Sequence, residues 1–130
     1  MPIVADVLSS KGQQVHSVTP STRVLDAINK MNQHKIGAVL VLHDGHVAGI
    51  FTERDVLRLV ASGGDPVVET VAAWMTMYPD SFLPDMDVKE AADWMLAAGY
   101  RHLPVVEEGA LIGMASIKDI LWALTGDSVN

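Results

Sequence analysis

Two short stretches of the chain carry residue types that could do chemistry: Thr52-Glu53-Arg54-Asp55 and Ser116-Ile117-Lys118-Asp119. Each places a hydroxyl three residues ahead of a carboxylate, with a cation between them. If a helix starts at the hydroxyl, the free N–H groups of its first turn and the positive end of its dipole suit a phosphate. The hydroxyl adds a donor at the same point, and Arg54 or Lys118 in that turn would screen phosphate charge. A carboxylate can also accept two hydrogen bonds from a cis-diol. The same spacing is equally a helix capping box, in which hydroxyl and carboxylate satisfy backbone N–H groups and bind nothing else. Both roles can coexist, with the hydroxyl capping while the carboxylate faces a ligand.

Other constellations are weaker. His43, Asp44 and His46 flank a turn and could pinch a metal, but solvated hairpin side chains are the simpler reading. There is no G-x-S-x-G, no G-x-G-x-x-G and no P-loop. Glu107-Glu108 reads as solubilising charge at a turn. With no nucleophile, base or metal set, a non-catalytic protein without a catalytic cofactor is expected. The absence of cysteine excludes disulfides and thiolate metal sites. Nine Lys and Arg against 16 Asp and Glu give a net charge of −7, which repels a nucleic-acid backbone. An aromatic content of 5% also argues against a base-stacking platform. A single phosphate could still be held locally. The longest apolar stretch, 36–42, is far too short to span a bilayer. The first residues, Met1-Pro2-Ile3-Val4-Ala5-Asp6, lack the basic start and apolar block of a signal peptide. A cytoplasmic location with no membrane association is the expectation.

What must position the two motifs is an internal repeat. Setting Val24 against Val88 aligns Ala27 with Ala91, Met31 with Met95, Val41 with Val105, Gly45 with Gly109, Gly49 with Gly113, Asp55 with Asp119 and Leu57 with Leu121, at a constant offset of 64 residues. The spacing predicts the same elements in each copy. In the first they are a helix over 22–34, a strand over 38–42, a hairpin turn at Asp44-Gly45, a strand over 47–51, and a helix from Thr52 with Val56, Leu57 and Val60 on one face. In the second they are a helix over 88–98, strands over 102–106 and 110–115 around Glu108-Gly109, and a helix over 116–124. Short strands near 15–18 and 81–83 would complete the sheets. Amphipathic pieces at 4–8 and 71–75 precede the copies. Gly63-Gly64-Asp65-Pro66 marks the joint, giving repeats at 1–64 and 65–130. A copy of about 60 residues is marginal alone, so the copies should pack sheet to sheet, with Val39, Val41, Ile50, Leu103, Val105 and Met114, or their neighbours, on the mutual face. The fold class is α+β, two tandem βαββα-type repeats. Met75, Met77, Met86, Met95 and Met114 read as core filler, and Trp74, Trp94 and Trp122 as core or interface residues.

The stretches Gly49-Ile50-Phe51-Thr52-Glu53-Arg54-Asp55-Val56-Leu57 and Gly113-Met114-Ala115-Ser116-Ile117-Lys118-Asp119-Ile120-Leu121 resemble the signature of a CBS repeat. Tyr100-Arg101-His102-Leu103-Pro104-Val105-Val106 is similar to the strand that precedes it in such repeats. The resemblance covers roughly residues 4–60 and 68–125, the pattern of a stand-alone CBS pair, or Bateman module. It implies two repeats about a pseudo-two-fold axis, with clefts that hold an adenosine nucleotide: AMP, ADP, ATP or NAD(H). It implies that Asp55 and Asp119 take the ribose hydroxyls, that Thr52 and Ser116 lie near phosphate, and that adenine sits between apolar walls. It also implies pairing as a homodimer. Such a module would act as an energy or redox sensor whose state an unidentified regulated protein reads. The alternative is a structural dimerisation module with no ligand. The clefts should differ, because Ile36, Gly37 and Ala38 in the first copy stand where the second has Tyr100, Arg101 and His102, and Leu40 stands where it has Pro104.

Overall fold

The computed structural model describes residues 2–11, 15–77 and 79–126. In the first copy the expected hairpin forms from β2 (Ala38–His43) and β3 (His46–Thr52). Its two-residue turn has positive φ at both Asp44 and Gly45, the type I′ geometry that matches strand twist. β1 (Ser17–Val18) lies parallel to β2, and β4 (Thr76–Met77) lies antiparallel to β3, giving the order β1-β2-β3-β4. Helices α2 (Val24–His34) and α3 (Glu53–Ala61) follow the amphipathic spacing, and a single 3-10 turn spans Val71–Ala73. Val24, Ala27, Met31, Val39, Val41, Phe51, Leu59 and Val71 form the core of this unit.

One expectation about a face changes, and one left open between neighbours is decided. On α3 the buried residues are Asp55 and Leu59, with Leu57 69% and Val60 63% exposed rather than sharing an inward face with Val56. Asp55 turns inward to cap the helix. That sets the phase, and the position four residues on, Leu59, follows it inside. On the sheet, Val39 pairs with Phe51 and Val41 with Gly49, while Leu40 pairs with Ile50. Directly paired residues share a face. Val39 and Val41 therefore line this unit's own core, and Leu40 and Ile50 line the opposite face.

The second copy repeats the plan. α4 (Val88–Ala98), β5 (His102–Glu107), β6 (Ala110–Ser116) and α5 (Ile117–Thr125) follow in order. The hairpin again turns through positive φ at Glu108 and Gly109. Its register slips between Val105 and Val106, the counterpart of the slip between Val41 and Leu42 in the first. Here too Leu103 and Val105 belong to the unit's own core, whereas Pro104 pairs with Met114 on the other face. The strand expected near 81–83 is reduced to one bridge, Phe82 with Val105. In the first unit the Leu40 N–H donates to the His16 carbonyl at 3.2 Å. Pro104 stands at the matching position and has no N–H to donate.

The leading segments do not join the copies they precede. The compact units are Val15–Pro79, and Met1–Gln14 together with Asp80–Asn130, which cuts across a 64/65 division. Val4, Val7 and Leu8 of α1 (Val4–Lys11) are buried with Phe82, Val88, Met95, Leu103 and Ile120 of the second copy. The Val4 N–H donates to the Met86 carbonyl at 2.9 Å, and the Val88 N–H donates to that of Pro2 at 3.1 Å. In the first unit the Val71 N–H donates to the Thr22 carbonyl at 2.8 Å. The two aligned glycines make room for these segments. A Cβ at Gly49 would lie 2.7 Å from the Thr76 carbonyl oxygen, and one at Gly113 would lie 2.9 Å from Leu8 Cδ2.

The residue just before β1 and the last residue of α2 form a histidine pair. The His16 and His34 rings stack with centroids 3.8 Å apart, and Lys30 Nζ donates to the Ser17 carbonyl at 2.6 Å. Burial, then the neighbouring His34 and Lys30 charges, hold the His16 pKa below its ordinary value of 6.5. The unfolded chain therefore binds the proton more readily. Stability from this group is fully present above pH 6.5 and is lost as pH falls from there through the lowered folded value. The melting temperature is expected to fall through this window, and His16→Gln should flatten that slope. An unchanged slope in the variant would assign the acid sensitivity elsewhere.

Candidate functional site

Both hydroxyl–carboxylate motifs sit where a strand turns into a helix. Thr52 ends β3 and caps α3, and Ser116 ends β6 and caps α5. The Asp55 N–H donates to Thr52 Oγ1 at 3.4 Å, while the Thr52 N–H and hydroxyl donate to Asp55 Oδ2 at 2.9 and 3.2 Å. In the second copy the Asp119 N–H donates to Ser116 Oγ at 3.1 Å, and the Ser116 N–H donates to Asp119 Oδ2 at 3.2 Å. Both capping boxes are complete, and the two aspartates are only 4% and 6% exposed. A loop seals each corner from the other side. The Glu53 N–H donates to the Gly37 carbonyl at 3.0 Å, and the Ile117 N–H donates to the Arg101 carbonyl at 2.8 Å. Each corner thus brings together a strand end, a helix N-terminus and the loop before the hairpin.

The expected site residues divide accordingly. Gly37, Thr52 and Asp55 meet at the first corner, and Ala38 is buried opposite Thr52 in the ladder. Glu53 covers Gly37: a Cβ there would lie 3.2 Å from the Glu53 carboxylate. Ile36 packs onto the core of its own unit. Arg101, His102, Ser116 and Asp119 meet at the second corner, with His102 half-buried opposite Ser116. Pro104 lies buried further along β5. Tyr100 is drawn away: its ring lies edge-on to Trp94 at 5.9 Å and its hydroxyl donates to Asp80. That hydrogen bond, then burial and the Asp80 charge, raise the Tyr100 pKa above 10.0. Arg54 is exposed, and Lys118 Nζ lies 5.0 Å from the Trp122 ring centroid. His43 Nε2 is 3.4 Å from Asp44 Oδ2 on an exposed hairpin, and no cluster of three metal-ligating side chains occurs among the described residues.

Sequence reasoning missed Arg58. Its Nη1 donates to Asp55 Oδ1 at 2.7 Å, and its guanidinium lies 5.6 Å from the Trp74 ring centroid. Trp74 Nε1 in turn donates to Glu69 Oε1 at 2.8 Å. The i,i+3 spacing of Asp55 and Arg58 on one helix was the available signal.

Two copies of one mixed α/β unit, each with a carboxylate-capped corner, define a tandem-repeat module. The CBS domain family model matches residues 4–62 and 68–126, and the chain belongs to the CBS domain family. Bacillus subtilis has a CBS domain-containing protein 32% identical over 124 residues, covering 92% of this chain and 84% of that protein. The meiotically up-regulated gene 70 protein of Schizosaccharomyces pombe is 36% identical over 90% of this chain, which spans only 16% of that protein's length. The crystal structure of a CBS-domain protein from Agrobacterium tumefaciens superposes with a TM-score of 0.90 at 36% identity, covering 95% of this chain and 99% of that one. One from Burkholderia ambifaria gives 0.92 at 33%, covering 99% and 98%. At 22% and 20% identity the fold is shared with a Pyrobaculum aerophilum protein complexed with AMP and with a CBS pair complexed with 5′-methylthioadenosine and S-adenosyl-L-methionine. A cyanobacterial CBS-CP12 protein, 27% identical, is hexameric. No helix among the described residues is long and apolar enough to cross a membrane.

Proposed function

We propose that the chain is a non-catalytic, cytoplasmic regulatory module that binds an adenosine nucleotide of the AMP, ADP, ATP or NAD(H) type at these corners. Energy or redox state is then passed to a regulated protein. The observation that carries the reading is the pairing, in both copies, of a buried carboxylate with a helix N-terminus. A carboxylate accepts from a ribose diol, and a helix start favours phosphate. The adenosine ligands in two proteins of this fold support it. A homodimer fits the exposed Leu57 and Val60 on α3, and signalling requires the ligand to favour one conformational state over another.

A second reading is favoured by the completeness of the caps: a structural dimerisation module whose carboxylates serve only their helices. A thermal-shift panel with AMP, ADP, ATP, NAD, NADH and S-adenosylmethionine separates the two. At about 100 times its dissociation constant, a ligand adds roughly 2.7 kcal/mol, a shift of several degrees for a chain this size. The expected result is a shift with at least one nucleotide that Asp55→Ala or Asp119→Ala abolishes. If no ligand shifts wild type and the variants only lose a cap of about 1 kcal/mol, the structural reading replaces this one.

A further inference from the structure

We infer that Arg58 is a specificity-determining residue of the first corner: its guanidinium occupies the Asp55 carboxylate and must be displaced before a cis-diol binds there. The inference rests on the nucleotide-binding reading above. A diol needs acceptor positions on the carboxylate. Asp55 Oδ2 already accepts from the Thr52 N–H and the Thr52 hydroxyl, at 2.9 and 3.2 Å. The oxygen the cap leaves, Oδ1, is the one Arg58 Nη1 takes at 2.7 Å. At that distance the contact is a charge-assisted hydrogen bond, weakened by water because the Arg58 side chain is 56% exposed. The guanidinium is also held from behind by the Trp74 ring, itself fixed through Nε1 to Glu69.

The second copy has the same cap with a different residue at the matching position. The position matching Arg58 is Trp122, and the cation nearby, Lys118, rests on that ring at 5.0 Å. Both copies keep a cation on an aromatic ring, and in the first that cation also holds the signature carboxylate. Arg58 thus sets the requirement for a diol at the first corner.

Titration calorimetry with AMP on the full chain tests this. Relative to wild type, Arg58→Gln is expected to bind AMP about threefold to fivefold more tightly, the equivalent of losing one partly exposed ion pair, or to bind an additional AMP per chain. Arg58→Met, which keeps a long unbranched side chain at this position, should behave alike and guards against a folding defect in the first variant. Arg58→Lys, which keeps the cation, should stay nearer wild type. Adding Asp55→Asn to Arg58→Gln should remove the gain. Unchanged or weaker AMP binding in both neutral variants overturns the inference, as does a gain that survives Asp55→Asn. If wild type responds to an adenosine ligand while the neutral variants show no gain, this inference falls alone. If neither wild type nor the variants bind any ligand of the panel, the nucleotide reading falls with it.

Discussion

Phe82→Ala is expected to lower stability by about 3–5 kcal/mol, the usual cost of emptying an aromatic site in a core. Phe82 is fully buried, and its ring lies edge-on to Trp94 at 5.6 Å. Its backbone is also the sole bridge, among the described residues, from the 80s segment to β5: the Phe82 N–H donates to the Pro104 carbonyl and its carbonyl accepts from the Val106 N–H, at 2.9 and 3.0 Å. Pro104 prevents that bridge from lengthening into a strand, so side-chain burial must do what β1 does by pairing in the first unit. Stability of a small domain is about 5–15 kcal/mol, so this loss consumes a large share of it. Leu83→Ala, one residue on and 59% exposed, is the control and should stay within about 0.5 kcal/mol of wild type. Urea unfolding of both variants decides the matter. Similar midpoints for the two would mean that the residue 82 ring does not anchor this unit.

What the sequence made legible, and what it did not, follows from the range of the interactions. The hairpins were legible because Asp44-Gly45 and Glu108-Gly109 act through two adjacent residues, and their shared register came with the repeat. The capping boxes were legible because hydroxyl and carboxylate lie one helical turn apart. The inward phase of α3 was misread because Asp55 looks like a surface residue by type, and only its cap role turns it, and with it Leu59, inside. The split between Val39 and Leu40 was open because a strand buried on both faces shows no polar alternation. The exchange of leading segments was hidden for a different reason. Val4, Val7 and Leu8 advertise an apolar stripe but not its destination, and proximity in sequence favoured the nearer copy. At the site, the placement of Gly37 and Arg101 over the helix starts depends on hydrogen bonds to Glu53 and Ile117, which no local pattern announces.

The exchange of segments makes a second large effect predictable. Leu8→Ala is expected to cost about 2–5 kcal/mol, because Leu8 is buried in the core formed with α4, β5, β6 and α5. Gly113→Ala should also destabilise, at the lower end of the roughly 1–3 kcal/mol typical of overpacking. The new methyl would meet the Leu8 side chain at 2.9 Å, and a flexible side-chain end can partly yield. The two substitutions act on one contact, so they should not add. With Leu8 shortened, the methyl at position 113 enters space that the leucine has left, and the double variant should be more stable than the sum of the single losses by at least about 0.5 kcal/mol. Strict additivity would mean that α1 does not rest on β6 at Gly113. Residues 4–11 would then be free to serve the copy they precede, and the glycine at position 113 would need another explanation. Positive coupling would tie the second repeat's stability to a segment that precedes the first, so that neither 1–64 nor 65–130 contains all of its own core.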